Sequence, residues 1–116
     1  MNDASLLIQP DEYGLLTDLY QLTMAACYVG EGLDQRRASF ELFVRRLPEG
    51  FGYLIAAGLT AAMDYLEKFQ FTPEQLDRLR ATDIFVGAPA KFWDILATGR
   101  FSGDIWAVPE GTAVFA

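Results

Sequence analysis

The sequence has 116 residues, of which 52% are hydrophobic and 14% aromatic, enough for one small domain with apolar surface left for a partner. Nine Lys and Arg against sixteen Asp and Glu give a net charge of −7, which argues against binding nucleic acid or an anionic membrane through the overall field. There is no histidine, which excludes histidine acid–base chemistry from these residues. No signal peptide or long apolar run is present, so we expect a soluble, cytoplasmic protein. The single Cys27 lies within an apolar pattern and is predicted to be a buried, inert thiol.

The first predicted element is a helix within residues 15–29, after a tail of residues 1–12. Its apolar positions share one stripe: Leu19, Leu22, Ala26 and Val29. Thr17 or Asp18 can cap its start, and with Asp18 as the N-cap, Gln21 at the third helical position completes a capping-box pattern. The run Gly-Glu-Gly that follows is typical of a helix end.

Residues 38–46 alternate between apolar and polar side chains, a pattern that predicts a strand. Phe40, Leu42 and Val44 form its apolar face. A loop rich in Pro and Gly follows, and then a short apolar run at 53–57.

Three further helices are predicted between Gly58 and Gly99. The first runs to about Phe69 with one apolar stripe. The second starts at Thr72, where Thr-Pro-Glu-Gln combines a capping threonine with proline at the first helical position. The third opens at Pro89, and its inward-facing residues should be Phe92, Ile95 and Leu96.

Two short β-prone runs at 104–108 and 112–115 flank Pro-Glu-Gly and are predicted to form a hairpin. The second run has no turn after it, so we expect the chain to be the opening section of a longer protein. The elements together predict an α+β domain over residues 13–116, with helices packed on a small mixed or antiparallel sheet.

The cluster Thr17–Gln21 is the first candidate site, because polar groups gather at a helix start whose free N–H groups favour anions. Tyr20 should project from the first turn near that end. From spacing alone, an ordinary helix cap with a half-buried tyrosine is the favoured interpretation of the same residues.

Arg45 and Arg46 are the second candidate, since guanidinium groups at a strand end can bind phosphate oxygens in pairs. Strand alternation places the two on opposite faces, so one of them should reach a given ligand. A solvated strand end, or pairing of Arg45 with Glu41, is the alternative. The acidic residues are scattered without metal-ligand spacing, so no metal site is expected in this chain.

Five pieces of the sequence together resemble the N-terminal region of nicotinate phosphoribosyltransferases. They are LLTDLYQLTM (15–24), FELFVRRLP (40–48), AAGL (56–59), FSGD (101–104) and VPEGT (108–112). Each is weak alone, but their order and spacing match the family along nearly the whole chain from Tyr13.

The resemblance implies a type II phosphoribosyltransferase that makes nicotinate mononucleotide from nicotinate and phosphoribosyl pyrophosphate in NAD salvage, with ATP hydrolysis through a phosphorylated histidine and with Mg²⁺. It implies a head-to-tail homodimer in which this region completes the neighbour's site, and a barrel with the histidine that lies beyond these residues. This piece alone should be inactive and bind neither cofactor. Tyr20 then corresponds to the tyrosine stacking on the pyridine ring, Asp18 holds the helix start or contacts the base, and Arg45, with Arg46 second, reaches the phosphate end.

Two other interpretations stay open from sequence. The chain can be a non-catalytic α+β module for dimerisation or regulation, or one half of a split enzyme. The sequence does not separate a preference for nicotinate from one for nicotinamide.

Overall fold

The computed structural model describes residues 8–116. Within them the elements, in chain order, are the 3₁₀ helix η1 (Pro10–Leu15), α1 (Leu19–Gly30), β1 (Leu54–Ile55), α2 (Leu59–Lys68), α3 (Pro73–Arg80), the 3₁₀ helix η2 (Asp83–Phe85), α4 (Ala90–Thr98) and β2 (Ala113–Val114). The mixture of helices with a small sheet agrees with the predicted α+β class. Residues 1–7 of the predicted tail lie outside the described residues. The helix η1 begins within the rest of that tail, at Pro10.

The helix ends follow the local signals in the sequence. At α3, the Gln75 N–H donates to the Thr72 hydroxyl (3.2 Å) while the Thr72 N–H donates to the Gln75 side chain (2.9 Å), which confirms the capping box. At the end of α1, Gly32 adopts a left-handed φ of 69°. Leu33 N–H there donates to the Tyr28 carbonyl at 2.8 Å, the pattern of a Schellman motif. Both ends are therefore set by a few neighbouring residues.

The hydrophobic core lies between helices α1, α3, η2 and α4. We call its buried members the core cluster: Leu22, Phe71, Leu76, Leu79, Phe85, Phe92 and Leu96. Phe92 has no exposed surface and stacks on Phe85 with ring centroids 5.7 Å apart. The predicted inward positions of α4 are thus confirmed for Phe92 and Leu96, and helix packs on helix here.

Leu22 of the predicted stripe is buried and Ala26 and Val29 pack on the core cluster, whereas Leu19 at the first helical position is 50% exposed. One prediction for α1 is wrong, because Cys27 is exposed rather than buried. Each helical residue turns the side chain by about 100°, which carries Cys27 off the stripe of Ala26 and Val29 that packs on the core cluster.

The strand predicted at 38–46 is also wrong, because these residues pair with no other strand within residues 8–116. Two residues of the predicted apolar face lie open to solvent, since Phe40 is 93% exposed and Leu42 102%. The third, Val44, is partly buried. A β-strand forms its backbone hydrogen bonds with a neighbouring strand, and an alternating pattern does not provide that neighbouring strand. We refer to residues 38–46 below as the arm.

The hairpin predicted between 104–108 and 112–115 is replaced by a different pairing. The antiparallel partner of β2 is β1, with Leu54 opposite Val114 and Ile55 opposite Ala113. The turn itself is present, because Thr112 N–H donates to the Pro109 carbonyl at 3.2 Å. Gly111 supplies the left-handed φ of 82° that the third residue of this turn requires.

The turn Pro109–Thr112 also holds the start of α2. The Glu110 carboxylate accepts the backbone N–H of Leu59 at 2.7 Å and that of Gly58 at 3.1 Å. Gly58 has a φ of 105°, a conformation that side chains with a Cβ rarely adopt. A carboxylate from a point about 50 residues away therefore caps this helix, and it sits at the positive end of the helix dipole.

Much apolar surface stays uncovered. The accessible surface is 9636 Å², whereas a compact monomer of 12.9 kDa exposes about 6300 Å². The radius of gyration is 17.4 Å, against about 13 Å for a compact chain of this length. Large apolar side chains contribute to this exposed surface, among them Phe40, Leu42 and Trp106.

Candidate functional site

The start of α1 leaves its polar residues available. Asp18 is the N-cap residue, as predicted, but its side chain makes no capping hydrogen bond. The predicted capping box is therefore wrong at this helix. Instead the Thr17 hydroxyl contacts the Gln21 side-chain oxygen, and the Gln21 N–H donates to the Asp18 carbonyl at 3.1 Å. The Asp18 carboxylate is left exposed beside the free N–H groups of the first turn.

Tyr20 projects from that first turn and is 59% exposed. Its carbonyl accepts the Thr23 hydroxyl at 3.0 Å, whereas its phenol has no partner within residues 8–116. The Tyr20 ring is thus partly covered by the chain and partly open to solvent. An aromatic ring held on a helix and open to solvent is suited to stack on a planar ligand.

The segment before α1 was not predicted from sequence and is well anchored. The Tyr13 hydroxyl donates to the Asp64 carboxylate on α2 at 3.0 Å, and its ring packs on Tyr65 at 5.1 Å. Desolvation, followed by the hydrogen bond to Asp64, raises the pKa of Tyr13 above its usual 10.0. The hydrogen bond from Lys68 is the main reason that the pKa of Asp64 lies below its usual 3.8. The signal for η1 was Pro10 followed by two acidic residues, a favourable helix start.

Arg45 and Arg46 lie at the bend that ends the arm and are both exposed. Neither has an ion-pair partner in the described part of the chain, so the suggested pairing of Arg45 with Glu41 is not formed. No hydrogen bond or ion pair among residues 8–116 joins the arginines to Asp18 or Tyr20. All four predicted residues are exposed, and the two pairs are not joined by a direct polar contact in this part of the chain.

The open grooves on residues 8–116 include one of about 900 Å³ and one of about 500 Å³. The larger lies between η1 and α3 and the smaller beside α2, and neither is lined by Asp18, Tyr20, Arg45 or Arg46. Residues 8–116 contain no group of three or more His, Cys, Asp or Glu placed to hold a metal ion. None of the helices described has both the length and the apolar content that crossing a membrane requires.

A family model described as the nicotinate phosphoribosyltransferase (NAPRTase) N-terminal domain matches residues 15–116. The chain belongs to this family. Two of the five sequence pieces quoted above meet in the structure, since Glu110 of VPEGT binds the backbone of Gly58 and Leu59 in AAGL. Two of these pieces therefore contain residues that build the fold.

Curated relatives agree with the family. Nicotinate phosphoribosyltransferase pncB2 of Mycobacterium tuberculosis (strain ATCC 25618 / H37Rv) is 45% identical over 101 residues, which is 87% of this chain and 21% of that protein. The nicotinate phosphoribosyltransferase of Bacillus subtilis (strain 168) is 49% identical over 70 residues, 60% of this chain and 14% of the relative. That of Caenorhabditis elegans is 34% identical over 116 residues, 99% of this chain and 20% of the relative.

The chain spans about one fifth of the length of the relatives that it matches most fully. No solved structure matches it significantly.

Proposed function

We propose that this chain serves as the N-terminal domain of a type II phosphoribosyltransferase that joins nicotinate to phosphoribosyl pyrophosphate in NAD salvage, releasing nicotinate mononucleotide and pyrophosphate. The observation that carries the proposal is the family match across residues 15–116. The enzyme acts in the cytoplasm as a head-to-tail homodimer. In it, this domain contributes residues to a site whose remaining walls, including an α/β barrel, belong to other parts of the assembly.

Tyr20 is the residue that contacts the pyridine ring in this proposal. Its exposure of 59% on the first turn of α1 supports the role, because a stacking ring has to be open before the ligand arrives. Asp18 stands two residues earlier at the N-cap and either fixes the helix start or contacts the base. A ring stack contributes about 0.5–1.5 kcal/mol beyond area burial, enough to orient a substrate but not to drive the reaction.

Arg45 is assigned to the phosphate end of phosphoribosyl pyrophosphate, with Arg46 as the alternative. Both are exposed and free of ion pairs within residues 8–116, so no internal carboxylate competes for their guanidinium groups. Phosphate oxygens match the fork of an arginine side chain, which makes two parallel hydrogen bonds.

The proposal assigns the binding of Mg²⁺ and ATP to other parts of the enzyme. No carboxylate cluster suited to a metal ion exists among residues 8–116, and the sequence contains no histidine to carry a phosphoryl group. No step through either group is therefore assigned to this domain, whose own residues bind and orient.

The test is steady-state kinetics on the longest in-frame product of the encoding gene. Tyr20→Ala should raise the KM for nicotinate about 2- to 10-fold, the loss of one ring stack. Tyr28→Ala, on the same helix and 46% exposed, is the matched control and should leave the KM unchanged. In the same assay Arg45→Gln should raise the KM for phosphoribosyl pyrophosphate more than Arg46→Gln.

An unchanged KM for nicotinate in Tyr20→Ala contradicts the assignment of Tyr20. Absence of nicotinate mononucleotide from the unaltered product, alone or mixed with the product of the adjacent gene, contradicts the proposed function itself and favours a non-catalytic module.

A further inference from the structure

The 3₁₀ helix η1 is held from three directions. Tyr13 donates to Asp64 on α2 at 3.0 Å and packs its ring on Tyr65. Gln75 on α3 donates its side-chain N–H to the Asp11 carbonyl at 2.8 Å. These partners lie 51 and 64 residues away in sequence, so η1 is a tertiary anchor point rather than a local turn.

Gly14 provides the third hold and has a specific steric reason to be glycine. It is buried, and a Cβ added there would lie 2.6 Å from the Gln70 carbonyl oxygen and 2.9 Å from a ring carbon of Phe71. The carbonyl oxygen belongs to the backbone and the ring to the core cluster, so neither can move away at low cost. Any side chain at position 14 must therefore push η1 outward.

The anchored segment leads directly into the candidate ligand contact. Leu16 N–H donates to the Tyr13 carbonyl at 3.1 Å and closes η1. Only residues 16–18 separate η1 from α1, and Tyr20 is the second residue of that helix. A displacement of η1 passes along this short connection to the first turn of α1, while the later turns of α1 are held by the core cluster.

We propose that Gly14 and Tyr13 are positioning residues for Tyr20: their seat against α2, Gln70 and Phe71 fixes the direction in which the Tyr20 ring meets the pyridine substrate. The inference rests on the proposed function. Neither residue touches the substrate, and both act through the placement of the first turn of α1.

The experiment uses Gly14→Ala, with Tyr13→Phe as the milder variant and Gly87→Ala as the matched control. Tyr13→Phe removes the hydrogen bond to Asp64 and keeps the ring on Tyr65. A Cβ added at Gly87 would meet no atom within 4 Å, and the φ of Gly87 is not left-handed, so alanine fits there. Amide hydrogen exchange at residues 19–21 of the chain is measured for all three, and it is read at Gln21, whose N–H donates to the Asp18 carbonyl. Kinetics are measured on the longest in-frame product.

We expect Gly14→Ala to raise exchange at residues 19–21 and the KM for nicotinate about 2- to 10-fold, with kcat and the KM for phosphoribosyl pyrophosphate unchanged. Tyr13→Phe should move both quantities in the same direction by less, and Gly87→Ala neither. The decisive result is the double variant Gly14→Ala/Tyr20→Ala, whose KM should equal that of Tyr20→Ala, because a misplaced ring and an absent ring lose the same contact.

A purely structural role for Gly14 predicts a different outcome, and that outcome overturns the inference. In that outcome Gly14→Ala lowers the active fraction and hence kcat, while the KM for nicotinate stays constant. In the double variant the effects of the two substitutions on kcat/KM multiply. Should Gly14→Ala not fold, Tyr13→Phe with unchanged exchange at residues 19–21 overturns it equally. Failure of the proposed function gives a different result. The unaltered protein then lacks phosphoribosyltransferase activity, while Gly14→Ala still raises exchange at residues 19–21.

Discussion

Phe92 in α4 and Phe40 in the arm are the same residue type in two amphipathic patterns, yet their exposures are 0% and 93%. The helical pattern around Phe92 closes its own backbone hydrogen bonds and needs only a surface to pack on, which α1, α3 and η2 provide. The alternating pattern around Phe40 needs a neighbouring strand as well, and no strand within residues 8–116 pairs with it. An amphipathic pattern thus predicts which face of an element is to be buried, but it does not predict which other element will bury it.

The largest expected effect sharpens this contrast. Phe92→Ala should lower the free energy of unfolding by about 3–5 kcal/mol, because it removes a fully buried ring and leaves a cavity beside Phe85. The same substitution at Phe40 should change it by less than about 0.5 kcal/mol, as at other exposed positions. Urea unfolding of the chain measures both. A loss at Phe40 of similar size to that at Phe92 contradicts the picture of an uncovered arm.

The same contrast explains which parts of the fold were predictable. The limits of α3 and the stop of α1 came from Thr72 and Gly32, where the signal and the structure lie within a few residues of each other. The arm and the hairpin were misassigned, because strand pairing joins residues such as Leu54 and Val114 that no local signal connects. The helix η1 carries a local signal, Pro10 followed by acidic residues, but its anchoring was not predictable, since its partners Asp64 and Gln75 lie far along the chain.

For the candidate site, sequence placed Asp18 and Tyr20 correctly at the start of α1, because a helix start is a local feature. It did not find that Gly14 and Tyr13 seat this start, since the close approach to Gln70 exists only in the folded chain. The position of Arg45 relative to Tyr20 likewise depends on the surface against which the arm packs. The ligand contacts assigned to these two residues remain predictions.

A second, smaller effect tests how the turn at 109–112 holds α2. Glu110→Ala should lower the free energy of unfolding by about 1 kcal/mol, because the Gly58 and Leu59 N–H groups lose their carboxylate acceptor at the helix start. Glu49→Ala, in an exposed loop, is the control and should have little effect. Urea unfolding measures the pair, and equal values for both would show that the carboxylate does not stabilise α2.

The smallest expected effect concerns the pH dependence of the contact between η1 and α2. The pKa of Asp64 is lowered in the folded chain, chiefly by the hydrogen bond from Lys68. A carboxyl group with a lowered folded-state pKa stabilises the fold above its unfolded value and loses that contribution as the pH falls through the folded value. The loss therefore lies below about pH 3.8, the ordinary value for this group.

Asp64→Asn should flatten the stability profile in that acid range, because no proton is then taken up at this position on unfolding. Asp94→Asn on α4 serves as the control, since the Asp94 carboxylate makes no hydrogen bond or ion pair within the described residues. Urea unfolding between about pH 5 and about pH 2 measures the slopes. Both members of the Asp64–Lys68 pair are partly exposed, so the difference should be small and should shrink further in salt. If Asp64→Asn leaves the slope unaltered, the charge of Asp64 does not contribute to holding η1, and only the placement of its side chain does. The effect of Tyr13→Phe on exchange at residues 19–21 should then be the same at about pH 3 as at about pH 7.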